Sequence, residues 1–330
     1  MEILRDGACC TDGRRARSPL RVLLLLLLAL SAWLPAQTTP SSEVPRISVD
    51  VDLVVLHVTV RDRKGDFVTG LGKENFHLWE DGQPQSIHLF RQEDMPVSVG
   101  LIVDNSTSMR SKRGDVTAAA LAFVRSSNPQ DEMFIVNFNE RVTLGLPAAR
   151  LFSASLQELE RALNGVPARG MTALYDAIEE GLAHLKQAGS EKKVLIVISD
   201  GGDNASRHKF AQALDDAEHS NVIIYTIGLF DEFDGDQNPG VLRKLAGATG
   251  GDVFLPKETS KVVPICERIA ADIRHQYSIG YVPTNRNLDD TYRSVRVNAT
   301  RAKGGKLFVR TREGYIAVGA KDANPPGSAR

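Results

Sequence analysis

The 330-residue sequence is poor in cysteine, the residue that cross-links small exported domains. It has three cysteines, and two of them, Cys9 and Cys10, lie within the first 36 residues. Cys266 therefore stands alone in the rest of the chain, and a single cysteine cannot close an internal disulfide. The protein must be held together by its apolar core, which a chain of this length can supply. We interpret Cys266 as a small buried apolar residue on a helix.

Several motifs of enzymes and metal sites are missing from the sequence. The seven histidines show no His-x-x-x-His spacing, and no Cys-x-x-Cys pair occurs, so a zinc site is not indicated. Neither a Gly-x-Ser-x-Gly elbow nor a Walker loop is present. The acidic run at 231–236 does not fit a calcium-binding EF-hand loop, because Phe230 and Val241 would occupy its first and last ligand positions. We interpret this run as a solvated loop.

Neither sign of charge is in excess. The chain has 40 lysines and arginines against 41 aspartates and glutamates, for a formal net charge of -1. A nearly neutral chain lacks the basic surface that attracts polyanions. We therefore predict that the protein has no nucleic-acid partner.

The first 36 residues have the pattern of an export signal. A cluster of arginines between 14 and 21 precedes an uncharged apolar run at 22–33. This run is about as long as the apolar part of a signal peptide and is short for a membrane span. Ala36 is a small residue at a cleavage point, although Leu34 is not ideal at the third position before the cut. We predict export to the periplasm or the medium, with membrane attachment only if the signal stays uncleaved.

The apolar pattern of the remaining chain changes twice. Residues 47–93 and 277–318 are β-rich, and a hairpin is predicted between 76–80 and 86–90 at Asp81-Gly82. Between these segments, apolar strands without polar alternation are separated by helices, which is typical of a parallel sheet covered on both faces. Each β segment is too short to bury a core alone. We therefore predict an α/β fold, with a Rossmann-like, doubly wound, mainly parallel sheet inserted in a small β-sandwich formed by both chain ends.

The predicted boundaries follow these changes of pattern. They are a signal peptide at 1–36, a linker at 37–46, an N-terminal β segment at 47–93, the α/β domain at 95–275, a C-terminal β segment at 277–318 that pairs with 47–93, and a flexible tail at 319–330.

Oxygen-bearing side chains follow two of the predicted buried strands. The strand at 97–103 leads into Asp104, Ser106 and Ser108, and the strand at 194–198 leads into Ser199 and Asp200. Ligands of doubly wound sheets lie at the carboxyl ends of strands, where the strand order reverses. If these strands flank that point, two carboxylates meet there, and they repel each other unless a proton or a cation lies between them.

A third loop, at 170–173, adds the hydroxyl of Thr172 at the start of a helix. Oxygen ligands with few charges, and no histidine or cysteine, suit Mg²⁺ or Mn²⁺ better than Zn²⁺. The same residue types also cap helices and form turns, which is the plain structural alternative.

These three pieces carry a family resemblance. Asp-x-Ser-x-Ser at 104–108, Thr-Ala-Leu-Tyr-Asp-Ala from Thr172, and Asp-Gly at 200–201 resemble the metal-ion-dependent adhesion site of von Willebrand factor A and integrin I domains. The resemblance covers about residues 95–275. It implies that Ser106 and Ser108 bind the metal directly and that Thr172 does so directly or through water. It also implies that Asp104 and Asp200 act mostly through water, and that a partner carboxylate completes the octahedron.

The chain as a whole is also similar to exported bacterial VWFA-related proteins of the acidobacterial type. Tyr-Val-Pro at 281–283 and Arg-Glu-Gly-Tyr at 312–315 carry this second, less specific resemblance.

The function expected from these features is an exported, cation-dependent protein-binding module for adhesion or assembly, without catalytic residues. The cation would grip an Asp or Glu side chain of a protein partner. One alternative is a metal-dependent phosphohydrolase, which needs a nucleophile or base and a phosphate clamp. Ser106 stands where a second aspartate would serve, and the three loops themselves hold no lysine or arginine. Another alternative is a structural envelope protein with a vestigial metal site.

Overall fold

The computed structural model describes residues 53–92, 94–230, 236–301 and 304–318. The predicted signal peptide, linker and C-terminal tail lie outside these ranges, as do the start of the N-terminal β segment and most of the acidic loop at 231–236. No helix within the described ranges is both long enough and apolar enough to cross a membrane.

The strands and helices are numbered in chain order. The strands are β1 Val54–Arg61, β2 Phe76–Glu80, β3 Gln83–Gln85, β4 Ile87–Arg91, β5 Val97–Asp104, β6 Glu132–Phe138, β7 Val142–Leu144, β8 Lys192–Ser199, β9 Val222–Gly228, β10 Val253–Phe254, β11 Tyr277–Tyr281, β12 Tyr292–Ala299, β13 Phe308–Arg310 and β14 Gly314–Ile316. The helices are α1 Arg113–Ser126, α2 Leu156–Asn164, α3 Leu174–Leu185, α4 Phe210–His219, α5 Pro239–Thr249 and α6 Val262–Arg274.

The central sheet has six strands in the order β10-β9-β8-β5-β6-β7. All neighbouring strands run parallel except β7, which pairs antiparallel with β6 at the edge. Every residue of β5 and β9 is buried, because helices cover both faces of the sheet. The predicted α/β fold is confirmed. The chain passes from β5 to β6 on one side and later places β8 on the other, so the strand order reverses between β5 and β8.

Local sequence signals set the limits of some helices. Helix α5 begins after Asn238, whose side chain accepts a hydrogen bond from the Val241 N–H at 3.3 Å, and Pro239 is its first residue. It ends at Gly250, whose φ of +80° is the left-handed conformation that glycine adopts without strain.

The two chain ends together form a β-sandwich. One sheet has the order β13-β1-β11-β4 and the other β14-β12-β2-β3, so each sheet contains strands from both ends of the chain. Strand β1 pairs antiparallel with β11, and β12 pairs antiparallel with β2. Apolar side chains of both sheets, including Leu56, Phe76 and Val295, pack into a core separate from that of the central sheet. The predicted sandwich of both ends is thereby confirmed as part of the fold.

The predicted hairpin between 76–80 and 86–90 is wrong in its second strand. Strand β2 pairs with the short β3, whereas β4 lies in the other sheet beside β11. Pro84 has no N–H to donate, so β3 is suited to the edge of the sheet, where no further strand pairs with it. The chain then crosses to the opposite sheet, where β4 pairs with residues 278–281.

Two acidic side chains face each other between α3 and α4. Burial, followed by the charge of Asp216, raises the pKa of Glu179 from 4.5 to about 7. The folded protein therefore binds the Glu179 proton more tightly than the unfolded chain does. This group makes the free energy of unfolding fall as the pH rises from about 4.5 to 7, and its penalty is fully present above that range.

We expect Glu179→Gln to remove this penalty. The variant should be more stable than the wild type at pH 8 by about 1 kcal/mol, a modest gain because the side chain is partly exposed to solvent screening. At pH 5 the gain should be smaller. Urea unfolding at both pH values measures the difference, and Asp216→Asn should give the same trend because it removes the same repulsion. A gain that does not depend on pH would contradict this interpretation.

Candidate metal site at the carboxyl end of the central sheet

Two aspartates lie side by side where the strand order of the central sheet reverses. Asp104 is the last residue of β5, and Asp200 directly follows β8. Since β5 and β8 are adjacent and parallel, with Val103 opposite Ile198, their carboxyl ends meet at one point of the sheet edge. Each of the two aspartates has only 3% of its surface exposed. The structure thus brings together the two carboxylates that the sequence places at separate strand ends.

Both oxygens of the Asp104 carboxylate accept a hydrogen bond. Its Oδ1 accepts from the Ser106 N–H at 2.8 Å, and its Oδ2 accepts from the Ser199 hydroxyl at 2.6 Å. Burial, together with the charge of Asp200, raises the pKa of Asp104 to about 6, against the hydrogen bonds from Ser106 and Ser199 that lower it. A second negative charge in this pocket is therefore costly, which is the electrostatic setting in which a cation stabilises a protein.

The two serines connect the aspartates. The hydroxyl oxygens of Ser106 and Ser108 are 3.1 Å apart, and the Ser108 hydroxyl donates to Oδ2 of Asp200 at 2.6 Å. The other carboxylate oxygen of Asp200 accepts from the Gly202 N–H at 3.0 Å. Asp104, Ser106, Ser108 and Asp200 therefore form one continuous chain of hydrogen bonds.

Thr172 joins this group through the backbone of its loop. Its N–H donates to Oδ1 of Asn204 at 2.9 Å, and its carbonyl accepts from the Asn204 N–H at 3.0 Å. On the other side, the Thr107 N–H and hydroxyl donate to the Gly170 carbonyl at 3.2 and 3.0 Å. The loop of Thr172 is thus bonded to the loops on both sides of it, and Thr172 is 7% exposed.

The loop after β8 depends on a glycine. Gly201 has a φ of +79°, a conformation that other residues rarely adopt. A Cβ atom at this position would lie 2.4 Å from the Asn238 carbonyl oxygen. A hydrogen bond holds the two segments together here, because the Asn238 N–H donates to the Asp200 carbonyl at 3.1 Å. Glycine is therefore what lets the chain turn immediately after Asp200 while staying close to the start of α5.

Two residues of this site were not among the predicted ligands. Ser199 orients Asp104, and Asn204 clamps the loop of Thr172. Ser199 could have been noticed, because it directly precedes Asp200 at a strand end. No local signal marks Asn204, since its partner Thr172 lies 32 positions away.

The oxygen atoms present fit a small divalent cation. Mg²⁺ binds six oxygens at about 2.0–2.1 Å, which places adjacent ligands about 3 Å apart. The Ser106 and Ser108 oxygens, 3.1 Å apart, have that spacing. Across the described ranges, no three His, Cys, Asp or Glu side chains are grouped so that they could hold a metal. The predicted site differs from such groups because it combines only two carboxylates with hydroxyl oxygens. The metal-binding roles of Asp104, Ser106, Ser108, Thr172 and Asp200 stay predictions.

Comparison with known proteins agrees with the architecture. The sequence model of the von Willebrand factor type A domain matches residues 98–264. No curated protein matches the chain.

Solved structures that match this chain share little sequence with it. A von Willebrand factor type A protein from Catenulispora acidiphila is 15% identical, with 82% of this chain and 74% of that one covered and a TM-score of 0.49. The vWF domain of a type V pili tip protein from Porphyromonas gingivalis is 14% identical, with coverages of 55% and 95% and a TM-score of 0.45. Proximal thread matrix protein 1 from the mussel byssus, solved with a zinc-occupied MIDAS motif, is 16% identical, with coverages of 59% and 49% and a TM-score of 0.47.

The family match spans the central sheet from β5 to the start of α6, including all five predicted ligand positions. On that match, the chain belongs to the von Willebrand factor type A domain family.

Proposed function

We propose that this protein is an exported module that binds a protein partner through a divalent cation, Mg²⁺ or Mn²⁺, held by Asp104, Ser106, Ser108, Thr172 and Asp200. The observation that carries the proposal is the hydrogen-bonded chain from Asp104 to Asp200 at the reversal point of the sheet. Hydroxyl and carboxylate oxygens are the donors that these cations prefer. The role is adhesion or assembly, and we assign no catalytic residue.

The composition of the site favours an acidic partner. The serines and the threonine are neutral ligands and the aspartates act mostly through water, so a bound cation keeps most of its positive charge and leaves a coordination position for a carboxylate from outside. An Asp or Glu side chain of another protein suits that position, because charge-assisted contacts are strong when they are desolvated. Beside Thr172, the side chain of Met171 is 54% exposed and offers an apolar contact at the rim.

The place of action and the subgroup of the protein are part of the same proposal. The apolar run at 22–33 favours export to the periplasm or the medium, where cell-envelope proteins are the available partners. The motifs at 281–283 and 312–315 favour the exported bacterial, acidobacterial-type group of VWFA-related proteins.

We expect the protein to bind about one Mg²⁺ or Mn²⁺ per chain, because the predicted ligands lie together in one cluster of hydroxyls and carboxylates. The affinity should be weak without a partner, since one coordination position is left to water. Titration with Mn²⁺, followed by the paramagnetic signal of the free ion, measures both the number of sites and the affinity.

A protein that shows no saturable site would contradict the proposal. Asp215→Ala is the control variant, because Asp215 is an exposed carboxylate on α4 that lies outside the cluster. This variant should bind Mn²⁺ as the wild type does.

Partner binding is tested by capture from a cell-envelope fraction with and without a chelator. Proteins that depend on the cation should be lost in the chelator and should return when Mg²⁺ is restored. Capture that is indifferent to the chelator would contradict the proposed role of the cation, even if the metal itself binds.

A further inference from the structure

A cavity of about 370 Å³ lies at the opposite end of the central sheet from the Asp104–Asp200 site. It is walled on one side by sandwich residues, such as Val55 and Ser278, and on the other by Lys192 and Val222 at the beginnings of β8 and β9. Its volume is in the lower part of the range of small-molecule sites, which is roughly 300–1,000 Å³. Nothing in the proposed function uses this cavity.

Two cations that line the cavity have no acidic partner in contact. Lys192 is 6% exposed, and its ammonium group donates to the Ile273 carbonyl. The guanidinium of Arg312 donates to the carbonyls of Gly314 at 2.6 Å and Glu218 at 2.7 Å. Within the described part of the chain, neither cation forms an ion pair with a carboxylate. A buried charge that is bonded only to neutral groups is unfavourable, and a bound anion would compensate it.

The groups beside these cations respond to the excess positive charge. Burial, followed by the charges of Lys192 and Arg312, lowers the pKa of His57 to about 3, so its ring is neutral. Burial lowers the pKa of Lys192 to about 8, although more distant aspartates favour its charged form. The cavity also contains an unsatisfied group, because the hydroxyl oxygen of Thr311 is buried and has no hydrogen-bond partner.

The outer part of the cavity is apolar. Leu53 and Val55 line it and are unusually exposed for large apolar side chains, at 41% and 36%. Leu89 and Met95 continue the same wall. A ligand with a single negative charge and an apolar body would therefore satisfy both regions, whereas a small inorganic anion would leave the apolar wall in water.

We propose that this cavity binds a medium-chain aliphatic carboxylate, with its head group between Lys192 and Arg312 and its chain against Leu53 and Val55. The carboxylate accepts from both cations.

The proposal is tested by calorimetric titration of the full chain with decanoate. A chelator is present throughout, so that binding to a cation at the Asp104–Asp200 site cannot contribute. We expect one saturable site for decanoate, with acetate and inorganic phosphate binding at least tenfold more weakly. If acetate or phosphate binds as tightly as decanoate, or if decanoate shows no saturation, the proposal is overturned.

Two variants locate the binding. Lys192→Met should weaken decanoate binding at least tenfold, whereas Lys193→Met, its neighbour on β8 outside the cavity lining, should leave it unchanged. Leu53→Glu changes an exposed position, so it keeps the fold even if Lys192→Met does not, and it should also weaken binding at least tenfold by placing a negative charge against the apolar wall. Wild-type affinity in a folded Lys192→Met or Leu53→Glu variant would overturn the proposal.

Discussion

Ser106→Ala is expected to abolish cation-dependent partner binding while leaving the fold intact. The hydroxyl of Ser106 is 3.1 Å from that of Ser108, on the loop that follows β5, and Ser106 is not part of the apolar core of the sheet. Its removal costs the cation a ligand and the metal-free protein one neutral hydrogen bond, which is worth about 1 kcal/mol. A partner carboxylate that contacts the cation contributes several kcal/mol, so its loss removes detectable binding.

Thr172→Ala and Asp200→Ala should have the same effect on binding. Asp200→Ala also removes one of two adjacent buried carboxylates. Without metal, the free energy of unfolding of this variant should therefore stay within about 1 kcal/mol of that of the wild type. The loss of the Asp200 hydrogen bonds is offset by the loss of repulsion between the two carboxylates. Manganese titration, envelope-partner capture and thermal melting measure metal binding, partner binding and fold separately.

Thr107→Ala is the matched control for these variants. Thr107 lies on the same loop and also carries a hydroxyl, but that hydroxyl donates to the Gly170 carbonyl instead of the Asp104–Asp200 chain. This variant should keep the cation and the partner. If Ser106→Ala unfolds the protein, the serine is a structural cap; if it folds and still binds its partner, the cation has no role in adhesion.

Asp272→Asn is expected to lower the free energy of unfolding by about 3–5 kcal/mol, as loss of one member of a buried ion pair does. Asp272 lies on α6 and has no exposed surface. Its carboxylate accepts from the hydroxyls of Thr59 at 2.8 Å and Tyr225 at 2.9 Å, and it pairs with Arg310 and with Arg61. An amide in its place leaves two largely buried guanidinium groups without this counter-charge.

The expected loss reflects how the sandwich and the central sheet are joined. Thr59 and Arg310 belong to the sandwich strands β1 and β13, whereas Tyr225 belongs to β9 of the central sheet. One carboxylate thus bonds elements from both parts of the fold. Urea unfolding at neutral pH measures the effect.

Asp94→Ala provides the comparison, because Asp94 pairs with Arg274 of the same helix at 3.2 Å on the surface. Exposed pairs contribute about 0–1 kcal/mol, so this variant should be nearly as stable as the wild type. Equal losses for Asp94→Ala and Asp272→Asn would show that burial is not what makes the Asp272 pair strong.

The succession of strands and helices along the chain of the α/β domain could be predicted from the local pattern of apolar residues. Strands such as β5 are apolar throughout because both faces are covered, and amphipathic helices separate them. The position of the candidate site could be predicted for the same reason, since parallel strands end at one edge and carry their next residues to it. Ser199 and Asn204 were missed because they act on other candidate residues instead of lining the site themselves.

The sequence by itself determined which segments form strands and helices in the central sheet, because uninterrupted apolar runs form the strands and amphipathic segments form the helices between them. It also indicated that Asp104 and Asp200 would meet if their strands flank the point where the strand order reverses. Only the tertiary structure decided that β4 pairs with β11 instead of β2, that Asp272 receives two arginines, and that Lys192 and Arg312 share a cavity. Each of these contacts joins residues far apart in the chain, as Arg61 and Asp272 are, and local periodicity carries no information about which distant edges come together.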